Sequence, residues 1–220
     1  MIKLTAISNG QTPRDDFMGD LVPLLPSSMS VTHVGALDTL TPEQVKTELV
    51  PSFGEETLVV RLNTGDVLDV SKARTIPLIQ KAINKAADDG ADAIIQLCTL
   101  PFPPFESKIP FISPYDHLHS IVPAIAHGLK VGILFPYESH APAMEKTWKA
   151  HGINMVTRCL APAVATGEAI AKLFEGENIA LLVLDCIGFT TVVRDDAQKI
   201  MGIPVLQPKQ MMVNMLKTLF

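Results

Sequence analysis

The chain has few of the residues that announce a dedicated chemistry. Its 220 residues include three cysteines, an odd number with no C-x-x-C pair, which fits neither a disulfide framework nor a zinc site. No basic run exceeds two residues and the formal net charge is -5, so the electrostatic footprint of a nucleic-acid partner is missing. No apolar stretch approaches the ~20 residues of a membrane span. The opening residues 1–8 are too short and too soon polar for a signal peptide. The expected compartment is the cytoplasm. Neither G-x-G-x-x-G nor G-x-x-x-x-G-K-[S/T] occurs, so nucleotide binding by those loops has no support. There is no H-E-x-x-H and no carboxylate cluster, and the histidines at 33, 117, 119, 127, 140 and 151 are scattered. His117 and His119, two apart, do not share a helical face. Neither metal nor cofactor is expected.

What is present is an ordinary globular composition, 47% hydrophobic and 19% charged, sufficient for one large or two small domains. The 17 prolines punctuate loops and strand starts rather than forming a low-complexity tract. Short apolar runs alternate with helical patterns. Strands are expected at 2–8, 30–35, 91–97, 130–135, 153–158, 179–184 and 204–206, with a short run at 110–112. Helices are expected at 15–25, from Thr41, and at 71–89, 116–126, 138–151, 166–175, 190–201 and 209–219. Thr41-Pro42-Glu43-Gln44 has the form of a capping box. Residues 57–62 and 66–70, joined through Asn63-Thr64-Gly65, read as a β-hairpin.

This alternation argues an α/β fold of mainly parallel sheets flanked by helices. A faint internal repeat divides it into two pseudosymmetric halves, 1–113 with the hairpin 57–70 and 114–208, with a cleft between them. The closing helix 209–220 is left free to complete the first half.

Two cysteines stand out because each ends an apolar run. Ala93-Ile94-Ile95-Gln96-Leu97 leads into Cys98-Thr99, and Ala180-Leu181-Leu182-Val183-Leu184-Asp185 leads into Cys186-Ile187-Gly188. Ligand sites of open α/β sheets lie just beyond the carboxyl ends of strands. A thiolate is a competent base once its pKa falls, and a thiol the matching acid. Two thiols facing one carbon can take a proton from one face and return it to the other. The bland alternative is that cysteine is among the most commonly buried small residues. Cys159 lacks the matching context and reads as packing.

Each half also carries a polar loop after its first strand. In Asn9-Gly10-Gln11-Thr12-Pro13-Arg14, the residues Asn9, Gln11 and Thr12 suit a carboxylate, and Arg14 either binds an anion or pairs with the aspartates beside it. In the second half, Tyr137 and Ser139 occupy the equivalent loop, Ser139 otherwise capping a helix. Thr99 and Thr190 could orient substrate oxygens, and Gly188 permits close backbone approach. Asp185 either tunes the neighbouring thiol or faces away as a structural acceptor.

Asn9 to Asp15, the hairpin Leu58 to Gly65, Leu97-Cys98-Thr99 and Leu184-Asp185-Cys186-Ile187-Gly188-Phe189 together resemble the AroM family, over essentially the whole chain. AroM-like chains in turn resemble the aspartate/glutamate racemase superfamily, which has two pseudosymmetric α/β halves and a paired-cysteine cleft. That superfamily includes amino-acid and hydantoin racemases, maleate isomerases and arylmalonate decarboxylases. The resemblance implies that Cys98 and Cys186 are an acid/base pair acting without a cofactor on a small carboxylic acid. In the racemases Asn-Thr follows the first cysteine and Thr-His the second. Here Thr99-Leu100 and Ile187-Gly188 stand instead, so glutamate or aspartate is not implied as substrate. The hairpin is unlike the racemase core and is read as a cleft cover or a contact in a homodimer or higher oligomer. Two other readings stay open: a one-cysteine decarboxylase of a malonate-like acid, and a non-catalytic small-acid-binding or regulatory protein.

Overall fold

The computed structural model describes residues 1–220. The chain divides into two compact units, Met1–Ser113 with Phe220, and Pro114–Leu219.

In the first unit, β1 (Ile2–Ser8) is the central strand. It pairs in parallel with β2 (Met29–Gly35) on one side and β5 (Ala93–Gln96) on the other, and β5 pairs with β6 (Phe111–Ile112). The sheet order is β2-β1-β5-β6. All four residues of β5 are buried, as expected where helices or loops cover both faces of a parallel strand. Helix α1 (Asp15–Leu21) ends early, because Pro23 converts the expected continuation into a tight turn at Val22–Leu24. Helix α2 (Pro42–Glu48) opens with both halves of the capping box made between Thr41 and Gln44. Helix α3 (Lys72–Asp88) is capped by Ser71 and buries Thr75, Ile79, Ile83 and Ala86, one face at helical spacing. That face packs on Ile7, Ala36 and Ile94. The hairpin of β3 (Thr57–Arg61) and β4 (Val67–Ser71) turns at Gly65, whose φ of +92° only glycine adopts readily. Its inward residues Leu58, Val60, Leu62 and Val70 form a satellite core with Leu37, Val45 and Leu49.

The second unit repeats the plan. Strand β7 (Val131–Phe135) pairs in parallel with β8 (Met155–Cys159) and β9 (Leu181–Leu184), and β9 pairs with β10 (Val205–Leu206). Read from the β8 edge, the order is β8-β7-β9-β10, which matches β2-β1-β5-β6 strand for strand. The unit's helices are α4 (Pro114–Ala126), α5 (Ala141–Ala150), α6 (Gly167–Leu173), α7 (Thr191–Met201) and α8 (Pro208–Leu219). Leu134, Ile170, Phe174, Leu182, Leu184, Phe189 and Ala197 make its core.

Two expectations are corrected. The helix expected from residue 138 begins at Ala141, because His140 N–H closes a turn onto Tyr137 O and Pro142 favours the first turn. The closing helix does not complete the first unit. It packs beside α4 in the second, burying Met212, Val213 and Leu216. No helix is long and apolar enough to cross a membrane.

Helices α6 and α7 meet at Gly167, where an added Cβ would lie 2.6 Å from Asp196 Cβ and 2.7 Å from Ala197 N. Backbone cannot yield there as a flexible side chain would. Gly167→Ala is therefore expected to lower unfolding free energy by about 1–3 kcal/mol, read as a lower urea midpoint at unchanged slope.

Candidate functional site

Each unit offers one strand-end site, and the two are built alike. In the first unit, β1 and β5 pair up to Ile7 and Gln96, and Leu97 N–H then donates to Ile7 O at 2.7 Å. In the second, β7 and β9 pair up to Leu134 and Leu184, and Asp185 N–H donates to Leu134 O at 2.9 Å. In both units the next residue is the cysteine. Cys98 and Cys186 thus leave their sheets at the same step of the same strand. Both are half-buried, and neither forms a disulfide.

In the first unit, Cys98 and the buried Thr99 share the carboxyl-end edge of the sheet with the loop after β1. That loop is held from three directions. Gly10 lies so close to the hairpin that a Cβ would sit 2.4 Å from Arg61 O, and Gln11 N–H donates to that oxygen at 3.0 Å. The Gln11 side chain is 1% exposed. Its Nε2 donates to Leu37 O at 3.2 Å and Leu40 O at 2.7 Å, and its Oε1 accepts from Asn63 N–H at 3.2 Å. Thr12 donates through N–H and Oγ1 to the two carboxylate oxygens of Asp38, at 2.8 and 2.9 Å. Arg14 makes a two-pronged pair with Asp16, at 2.9 and 2.7 Å, and lies 3.7 Å from the Phe17 ring centroid. The groups expected on a carboxylate at Gln11, Thr12 and Arg14 therefore hold the loop itself. Asn9 differs: it is buried, and its Oδ1 has no hydrogen-bond partner.

In the second unit, the sheet edge carries Tyr137 and Ser139, both exposed, in the turn before α5. Ser139 does not cap that helix, whose N-cap position is His140. The Thr190 hydroxyl accepts from Val193 N–H at 3.3 Å and so caps α7. Gly188 N–H donates to Cys186 Sγ at 3.3 Å, a contact that favours the thiolate. Gly188 is wedged against Pro162, and a Cβ would meet that ring at 2.9 Å. Cys159, at the end of β8, stays a protonated thiol near neutral pH. Burial, together with a hydrogen bond to the Glu138 carboxylate and the nearby Glu145 charge, pushes its thiol up to about 11.

Sequence reasoning left Asp185 open as a structural acceptor but did not name its donor. Asp185, 1% exposed, accepts a hydrogen bond from Trp148 Nε1 at 2.8 Å. Trp148 is fully buried, with its ring centroid 3.9 Å from that of His119, which lies 4.3 Å from Tyr115 and 4.9 Å from His151. Gln207, also buried, donates from Nε2 to Phe189 O at 2.7 Å and ties down the segment after Cys186. The one available signal was the lone tryptophan on an amphipathic helix.

The family model described as AroM protein matches residues 4–220. The chain belongs to the AroM family. No curated protein sequence matches it. Among solved structures, this AroM-family chain resembles an allantoin racemase from Klebsiella pneumoniae, with TM-score 0.66 and 11% identity over 100% of this chain and 87% of that one. It also resembles a variant of arylmalonate decarboxylase, with TM-score 0.63 and 12% identity over 96% and 89%. A glutamate racemase from Aquifex pyrophilus gives TM-score 0.55 and 13% identity over 100% and 84%. At these identities the likeness is one of fold: α/β, with parallel sheets flanked by helices, as in the racemases.

Two predictions follow from this geometry. Gln11→Ala removes three hydrogen bonds at once, to Leu37 O, Leu40 O and Asn63 N–H, and empties a buried site, so a loss of about 1–3 kcal/mol is expected in urea unfolding. A residue that served substrate alone would leave stability unchanged. His119 is held neutral, its pKa pushed down to about 3, chiefly by burial and also by His151. Between its ordinary value near 6.5 and about 3 the unfolded chain binds the proton and the folded chain does not, so stability falls as pH falls through that window. The slope from this group is at most about 1.4 kcal/mol per pH unit. His119→Phe keeps the stacked ring and is expected to flatten that part of the pH profile.

Proposed function

We propose that this AroM-family protein is a cofactor-independent racemase or isomerase of a small carboxylic acid, in which Cys98 and Cys186 act as an acid/base pair. The supporting observation is the register match: each thiol stands one residue past the last ladder bond of the equivalent strand in its unit. In this reading one thiolate removes the proton α to the carboxylate, leaving its electron pair in an enolate-like carbanion. The other thiol returns a proton to the opposite face, and the reverse reaction exchanges the two roles. Asn9, Thr99, Tyr137 and Ser139 are the remaining candidates to orient the acid. Thiols in this role must stay reduced, which suits the cytoplasm.

A second reading keeps one thiol as proton donor in decarboxylation of a malonate-like acid. An asymmetry favours it. Helix α7 follows Cys186 within a few residues, whereas the segment after Cys98 runs to β6 without a helix. A non-catalytic small-acid sensor is the outcome if no chemistry is found.

The test is deuterium incorporation at the α-carbon of small 2-substituted acids in D₂O. Cys98→Ala and Cys186→Ala are each expected to slow exchange by about 10²–10⁴-fold, the usual contribution of a positioned acid or base. Exchange that survives loss of both thiols, or that no acid shows, overturns the two-thiol mechanism. CO₂ release that needs Cys186 alone selects the decarboxylase.

A further inference from the structure

Position 185 is where two otherwise matched strand ends part company. The last ladder bond is given by Leu97 in the first unit and by Asp185 in the second. Leu97 is a buried leucine, as a strand end inside a fold calls for. Asp185 places a carboxylate at the same step, 1% exposed. A buried charge is costly, and the architecture does not require one here, since the equivalent strand manages with leucine.

The carboxylate is tethered. Trp148 Nε1–H donates to its Oδ2 at 2.8 Å, and the indole cannot swing because it is wholly buried and packed on the His119 ring. The tether acts at a sensitive point. Cys186 N–H closes onto Leu184 O at 2.9 Å, so Asp185 is the central residue of a three-residue turn. A small rotation at 185 sweeps the next residue, and that residue is the thiol. Downstream, Gly188 N–H meets Cys186 Sγ at 3.3 Å, with Gly188 blocked from behind by Pro162. The sulfur is thus fixed from both sides in sequence, by the indole through Asp185 and by the Gly188 amide.

We propose that Trp148 and Asp185 are positioning residues for Cys186: the indole-to-carboxylate hydrogen bond sets the turn that holds the sulfur on the Gly188 N–H. The importance of that thiol rests on the reading under Proposed function, but the test requires no turnover. Cys186 is alkylated with iodoacetamide across a pH series in a Cys98→Ser/Cys159→Ser background, where it is the remaining cysteine. Asp185→Asn removes the charge and keeps an acceptor for the indole. Asp185→Leu removes both and installs the residue that the first unit has at that step. Trp148→Phe keeps the ring and the carboxylate but removes the donor.

Without the bond the turn loosens and the sulfur loses its N–H contact, so the thiol becomes a weaker acid. Asp185→Leu is expected to alkylate at least about threefold more slowly at neutral pH than Asp185→Asn, with a higher apparent pKa. Trp148→Phe is expected to slow alkylation in the same direction relative to its parent. Equal rates and midpoints for Asp185→Leu and Asp185→Asn overturn the proposal, and that comparison stands even where Trp148→Phe does not fold. If the D₂O exchange fails while this pattern appears, the functional reading falls and the positioning role remains. If exchange requires Cys186 and the pattern is absent, the reverse holds.

Discussion

The hydrogen bonds from Leu97 N to Ile7 O and from Asp185 N to Leu134 O govern both sites. A parallel ladder fixes each residue of a strand against its neighbour, and the last rung decides which residue is released beyond the sheet first. Shifting either pairing by one residue would turn the cysteine toward the wrong face and carry its neighbours with it. Everything described beyond those rungs, including the Gly10 crossing, the Gln11 bonds and the Cys186 turn, relies on the central strands β1 and β7 being paired on both sides.

The two units reach similar ends by different means. In the first, an added hairpin and α2 supply a satellite core, and the loop after β1 is held against that structure. In the second, the support is a buried aromatic stack reached through a carboxylate. Leu97 and Asp185 condense the difference: one side of the repeat solves its strand end with apolar packing, the other with a charge and a donor. A sequence with two equivalent halves has no need to keep them chemically equal, provided both keep the ladder.

Much of the architecture is legible from the residues, since runs such as 93–95 and 181–184 are apolar throughout and the intervening segments carry helical spacing and caps. The cysteines at the strand ends are legible for the same reason. The partners of polar side chains are not. Thr12 looks like an anion ligand in sequence, but Asp38 stands 26 residues away and only the fold brings them together, whereas the Arg14–Asp16 pair, two residues apart, is legible. Trp148 and Asp185 are 37 residues apart, and no local pattern links them. Composition states which groups can bond, whereas the sheet register decides which of them meet. The closing helix was ambiguous because an amphipathic face reports that it will be covered without reporting by what.

The grip of the hairpin on the loop after β1 is made of main-chain atoms: the Arg61 carbonyl against the Gly10 α-carbon and the Gln11 amide. Main-chain contacts do not read side chains, so the two partners carry unequal evolutionary constraint. Position 61, whose arginine side chain is exposed, can drift in charge and size without disturbing the contact. Position 10 cannot accept a single added carbon. A surface feature that varies freely among relatives can therefore sit directly on one of the least negotiable points of the molecule.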